Sequence, residues 1–272
     1  MCLCRLCLCL RLRWRRSVDQ GPGARGQGSG ASMDDASFPP PELLRQQSAW
    51  LAPARARLLR RARIARRRRV LDLACGTGAV TGELVRRCGG TVVALDRNLR
   101  ALSAAEERFA GAVGLCGNAA RLPFAQGSFD LVFCQFALMW LDARVVIEEV
   151  RRVLQPGGLL VAVEPDYGGM IEYPPGIATR ELWLVALARA GADPQIGRKL
   201  PGLAAAAGFR VRVDLLERAG LPASARLDLL RGLPLTDTEK ESLRRIERAD
   251  AACADGDRVV HLPMFLVTAE KP

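Results

Sequence analysis

The chain has 272 residues, 49% of them hydrophobic, which suits one large α/β domain with additions and a full buried core. Its net charge of +11 sits ahead of the first strand: residues 1–32 hold six arginines against one aspartate, and residues 53–69 hold nine arginines and no acid. Residues 70–272 are therefore near neutral, which argues against a nucleic-acid-binding body. Five of the nine cysteines are scattered singly and four stand in a low-complexity start, so no disulfide framework is expected. One histidine leaves metal sites poorly supplied, and no apolar run reaches bilayer-spanning length. A reduced, cytoplasmic protein without a metal or a membrane partner is the expectation.

In chain order, residues 1–32 lack a periodic apolar face and pass into a Gly-rich stretch. They read as a disordered extension, a start upstream of a natural Met33, or an arginine-rich targeting peptide. Residues 42–64 read as a helix whose Leu43, Leu44, Trp50, Leu51, Leu58 and Leu59 can form one face. Arg66–Arg69 is read as a solvated charge run. Strands are expected at Val70–Leu73, Thr91–Asp96, Ala112–Cys116, Phe129–Cys134, Leu159–Glu164, Phe209–Leu216 and Val259–Thr268. Helices are expected at 80–87, 98–109, after the cap Asp142, at 177–190 and 194–207, and from the Thr236-x-x-Glu239 capping box to about Ala252.

Strand one runs into Asp72-Leu73-Ala74-Cys75-Gly76-Thr77-Gly78, a tight glycine turn leading to a helix N-terminus. Such a turn lets backbone approach a ligand without an intervening Cβ and aims free N–H groups at an anion. Strand two ends in Asp96, about twenty residues on, where an acid can hold ribose hydroxyls. A dinucleotide fingerprint would place a third glycine where Thr81 stands, so an NAD oxidoreductase is a distant reading. Gly117-Asn118-Ala119-Ala120-Arg121-Leu122-Pro123-Phe124, Gly127-Ser128-Phe129-Asp130 and Arg152-Val153-Leu154-Gln155-Pro156-Gly157-Gly158 follow in order.

With these segments, residues 43–165 closely resemble the class I S-adenosylmethionine-dependent methyltransferases. The resemblance implies a doubly wound, Rossmann-like α/β fold: a mostly parallel seven-stranded sheet, its last strand antiparallel, flanked by helices. It implies a helical lid over 33–69 and a methyltransferase domain over 70–272, with helical insertions near 175–207 and 222–255. It implies S-adenosylmethionine as cofactor, held by Asp72, Ala74, Gly76, Gly78, Asp96, Arg97, Asn118, Ala119 and Gln135. Ala74 stands where the family often has glycine, and Asn118 where aspartate is common.

Methyl transfer from a sulfonium needs mainly positioning in a dry site, with a general base only for a protonated acceptor. A small-molecule acceptor is expected. Tyr167, Glu172 and Tyr173, in the loop beyond strand five, and the lone His261 are the catalytic candidates, against packing roles for each. Gly168-Gly169 would let that loop move. Two rivals remain: a non-catalytic S-adenosylmethionine-binding protein, and an RNA methyltransferase using the arginine-rich helix.

Overall fold

A computed structural model describes residues 41–103, 111–216 and 223–272. The expected extension over residues 1–32 and the helical reading beyond Ser103 to Phe109 lie outside the described residues. Parallel strands β1 (Arg69–Leu73), β2 (Thr91–Asp96), β3 (Ala112–Cys116), β4 (Phe129–Gln135) and β5 (Leu154–Pro165) form most of one sheet. With β7 (Arg210–Leu215) and β9 (Met264–Glu270) its order is β3-β2-β1-β4-β5-β9-β7. Strand β9 runs antiparallel to both neighbours and lies between β5 and β7. The seven-stranded, mostly parallel sheet with an antiparallel last strand is as the resemblance implied.

The central strands are apolar because both faces are covered. In β1 the four residues after Arg69 are buried, and in β4 all but Gln135. Helix α4 (Ala143–Val153) shows how a face is made: Val146, Ile147, Val150 and Val153 recur at helical spacing and are buried. The Asp142 side chain caps it by accepting from Val145 N. Helix α1 (Pro41–Arg61) buries Leu51, Ala54, Leu58 and Leu59 in the same manner. Helices α2 (Thr81–Arg87), α3 (Leu99–Ser103), α5 (Arg180–Arg189), α6 (Ile196–Ala206), α7 (Ala223–Arg231) and α8 (Asp237–Ala252) complete the described helices. The capping box of α8 forms as read, with Glu239 N donating to Thr236 Oγ1 and Thr236 N to Glu239 Oε2.

The structure corrects the sequence reading in three places. Val259–Thr268 is not one strand: Leu262-Pro263 divides it into β8 (Val259–His261) and β9, since proline cannot donate to a ladder. Strand β8 pairs instead with β6 (Ile171–Tyr173), a strand inside the stretch read as a loop. The fifth strand starts earlier, at Leu154, and the register shifts opposite Phe129 and Leu131 so that Pro156-Gly157-Gly158 is accommodated.

Strand β1 sits at the centre of the five parallel strands, with β2 and β3 on one side and β4 and β5 on the other. The connections therefore diverge at the carboxyl ends of β1 and β4, the place where open α/β sheets hold ligands.

Candidate active site

The turn after β1 has three residues in the left-handed region: Ala74 (φ 54°), Gly76 (φ 53°) and Gly78 (φ 72°). Two are glycines, for which this conformation carries no Cβ penalty; Ala74 bears that penalty. Gly78 N closes the turn on Cys75 O at 3.0 Å. Asp96, at the end of β2, faces this turn: its Oδ2 accepts from Gly76 N at 2.7 Å and its Oδ1 from Asn98 N at 2.9 Å. Arg97 beside it is exposed.

Asp72 is buried, and its Oδ2 accepts from Thr81 Oγ1 at 2.6 Å. The position that denied the dinucleotide fingerprint its third glycine thus steadies this carboxylate. Burial pushes the Asp72 carboxyl up to about 7, helped by the charge of Asp96 and opposed by the Thr81 hydrogen bond and Arg55. Asn118 follows β3, exposed, with its Oδ1 accepting from Ala120 N at 2.9 Å, while Ala119 is buried.

Gln135 ends β4, half-buried, and its Oε1 accepts from Arg55 Nη1 at 3.0 Å. Arg55 is itself 3% exposed and also donates to Ser48 O and, through Nε and Nη2, to Glu83 Oε2 of α2. One side chain thereby fastens α1 to the helix after the glycine turn and to the end of β4. The sequence reading missed Arg55 inside an arginine-rich run. Its signal was positional: four residues after Leu51 and three before Leu58, it stands on the buried stripe of α1. Of Arg66–Arg69, Arg67 is half-buried and donates to Ala62 O and Asp130 O, whereas its three neighbours are exposed.

Beside Gln135, Glu164 at the end of β5 is wholly buried. Its Oε1 accepts from Ala137 N and Leu138 N, both at 2.9 Å, and its Oε2 has no partner. These bonds brace the segment after β4, where Phe136 holds a left-handed φ of 53°. Burial pushes the Glu164 carboxyl to about 7 against the pull of those N–H groups.

The catalytic candidates are dispersed. Tyr167 is buried and stacked on Trp183, ring centroids 4.7 Å apart. The Glu172 carboxylate accepts from Thr179 N, Thr179 Oγ1, Arg180 N and Arg226 Nη1. Tyr173 is 60% exposed on β6, and His261 is half-buried on β8, opposite Ile171. Gly168 and Gly169 allow close packing rather than a free hinge: an added Cβ would meet Gln195 Nε2 at 2.2 Å and Pro263 at 3.1 Å. Among the described residues no cluster of three or more His, Cys, Asp or Glu could hold a metal ion, and no helix is long and apolar enough to cross a membrane.

Residues 71–162 match the family model described as methyltransferase domain. An uncharacterised methyltransferase of Mycobacterium tuberculosis is 40% identical over 121 residues, 44% of this chain and 43% of that protein. A malonyl-[acyl-carrier protein] O-methyltransferase of a Marinomonas species is 39% identical over 108 residues, 38% and 40% of the two chains. The chain thus matches less than half the length of either relative. The solved structure of geranyl diphosphate C-methyltransferase from Streptomyces coelicolor, in complex with S-adenosyl-L-homocysteine, superposes with a TM-score of 0.52. It covers 82% of this chain and 80% of that one at 16% identity, a likeness of fold. The segments that carry the sequence resemblance fall largely within the matched residues, and the sheet has the implied topology, so the chain carries a class I methyltransferase domain.

Proposed function

We propose that the protein is an S-adenosylmethionine-dependent methyltransferase acting on a small-molecule acceptor. The observation that carries the reading is the facing pair of Asp96 and the left-handed glycine turn at the switch point of the sheet. The residues present fit the cofactor. Gly76 and Gly78 leave no side chain between backbone and ligand, and Asp96 offers a carboxylate to vicinal ribose hydroxyls in place of its N–H donors. Asp72, once ionised, suits the ammonium of a methionyl group. Asn118 already spends its Oδ1 on Ala120 N, which leaves its NH2 to donate to a ring nitrogen of adenine.

The bound cofactor supplies an activated methyl group on a sulfonium. The chain's task is then orientation and exclusion of water. Gln135, fixed by Arg55, stands at the methyl-transfer end, and α1 closes over it as a lid through the Arg55 bonds to Glu83 and Gln135. Glu164 keeps the segment 136–138 in place. Glu172 anchors the loop rather than taking a proton, because its oxygens are filled by four donors. The Marinomonas relative, whose name gives a malonyl group on an acyl-carrier protein as methyl acceptor, supports an acceptor other than nucleic acid.

Calorimetry with S-adenosylmethionine, S-adenosylhomocysteine and NAD, followed by incubation with labelled donor and a metabolite extract, tests the proposal. Binding of the first two but not NAD, with label passing to a small molecule, is the expected result. Tight binding with no transfer to any component would leave a non-catalytic cofactor-binding protein.

A further inference from the structure

Among the described residues, Arg63, Ala74 and Phe136 are the non-glycine residues with a left-handed φ. Arg63 is exposed in the link between α1 and β1. Ala74 and Phe136 follow the carboxyl ends of β1 and β4, neighbouring parallel strands, so both lie at the switch point of the sheet. Ala74 belongs to the glycine turn. At Phe136, with φ 53°, glycine would take the same backbone without penalty, yet the chain carries a bulky aromatic side chain in a conformation such residues rarely adopt.

The surroundings of Phe136 enforce that conformation. Phe136 N donates to Val163 O at 3.0 Å, and Trp140 N to Ala137 O at 3.0 Å. Glu164 Oε1 takes the two N–H groups that follow, of Ala137 and Leu138. Gln135, just before, is tied to Arg55, and Met139 O, just after, accepts from Asp193 N at 2.7 Å. Glu164 does its part while wholly buried, and among the described residues no cation pairs with it, so its desolvation is offset by N–H groups alone. Two local costs, a left-handed aromatic residue and a buried carboxyl without a counter-charge, thus keep Phe136 beside Gln135. Strain over-determined in this way gathers at ligand sites. Phe136 is only half-buried, so part of it remains accessible.

We propose that Phe136 is a specificity-determining residue for the cofactor: its ring lies against the charged sulfonium of the methyl donor and favours it over the neutral thioether of the product. The face of an aromatic ring attracts a cation, more strongly where water is excluded, and has no such attraction for a thioether. In the transfer, a lone pair of the acceptor forms the new bond to the methyl carbon and the S–C pair returns to sulfur, which becomes neutral. The contact that held the donor is then lost, which favours exchange of product for fresh donor. Glu164 is a positioning residue in this scheme, acting through the turn it braces. The inference rests on the methyltransferase reading, with Gln135 at the methyl-transfer end.

The test is calorimetry on the full chain with S-adenosylmethionine, S-adenosylhomocysteine and sinefungin, which carries an ammonium in place of the sulfonium. Phe136→Leu keeps apolar bulk without a π face, and should weaken binding of the two cationic ligands at least about fivefold more than binding of S-adenosylhomocysteine. Phe136→Gly, which takes the backbone conformation freely, should show the same selective loss. Glu164→Ala, which releases Ala137 N and Leu138 N, should show it as well, and Glu164→Gln, whose amide oxygen can accept the same two N–H groups, should restore the wild-type ratio of affinities. Equal changes for all three ligands in either Phe136 variant would make the ring mere packing and overturn the proposal, whatever the change in melting temperature. A selective loss in the Phe136 variants with none in folded Glu164→Ala would overturn the positioning role of Glu164. Wild type that binds all three ligands while the ratio stays fixed in the variants sinks this inference alone. Wild type that binds none of them sinks the methyltransferase reading, and this inference with it.

Discussion

Asp96 and Glu172 are both carboxylates that accept backbone N–H groups, yet their surroundings assign them opposite tasks. Asp96 holds Gly76 N and Asn98 N, and among the described residues no cation pairs with it. Its charge is available to a ligand that brings stronger donors. Glu172 faces Arg226, whose side chain is 0% exposed and which also binds Asp250, itself paired with Arg258. That charge is consumed within the protein. The difference teaches that a strand-associated acid is read by what neutralises it, not by its place near the rim.

The sharpest way to break the comparison is to remove the shared cation. Arg226→Met should cost about 3–5 kcal/mol in urea unfolding, because Glu172 would remain buried without its cation and Asp250 with Arg258 alone. A loss below about 1 kcal/mol would show that the network is not an anchor.

The buried carboxyls of Asp72 and Glu164 should appear in the pH dependence. Glu164 and Asp72 are both pushed to about 7 in the folded chain, chiefly by burial. Each folded carboxyl keeps a proton that the unfolded chain releases near its ordinary carboxylate pKa. Their contribution to stability is therefore full below that value and is lost as pH rises through about 7. Glu164→Gln should remove about 3 kcal/mol of the decline between pH 5 and 8, read from urea unfolding at each pH. A slope equal to wild type would mean that Glu164 is ionised throughout.

Asp96→Ala should weaken S-adenosylhomocysteine binding by about 2 kcal/mol, or roughly thirtyfold, since a charged acceptor is lost. Calorimetry giving wild-type affinity would move the ribose elsewhere. The same measurement on Glu172→Gln should show unchanged cofactor affinity together with a lowered melting temperature.

The sheet was legible because parallel strands buried on both faces write apolar, β-branched runs, and turns such as Pro156-Gly157-Gly158 punctuate them. The glycine turn and the strand-end acid of the candidate site were legible as local features because each has local reasons to exist. What escaped the sequence depended on distant partners. Strand β6 exists only through β8, ninety positions on, and Glu172 meets Arg226 54 positions on. Arg55 was concealed by composition, for one arginine among nine in residues 53–69 shows its buried role only once Glu83 and Gln135 converge on it.

The smallest expected effect separates a strained turn from a yielding one. Ala74 holds φ 54° in the same turn where Gly76 and Gly78 hold 53° and 72°. A left-handed alanine costs about 1 kcal/mol relative to glycine, while glycine makes the unfolded chain more flexible by about 0.4–1 kcal/mol. Ala74→Gly should therefore raise stability by less than about 1 kcal/mol, measured as a small increase in urea midpoint. Cofactor affinity then decides what the alanine does. If the turn is already shaped by Asp96 and the Cys75–Gly78 bond, S-adenosylhomocysteine affinity should stay within about twofold of wild type. A clear gain in affinity would mean that the methyl of Ala74 presses on the ligand. A clear loss would mean that alanine stiffens a turn which glycine lets collapse, and Asp96 alone would then be too weak to hold it.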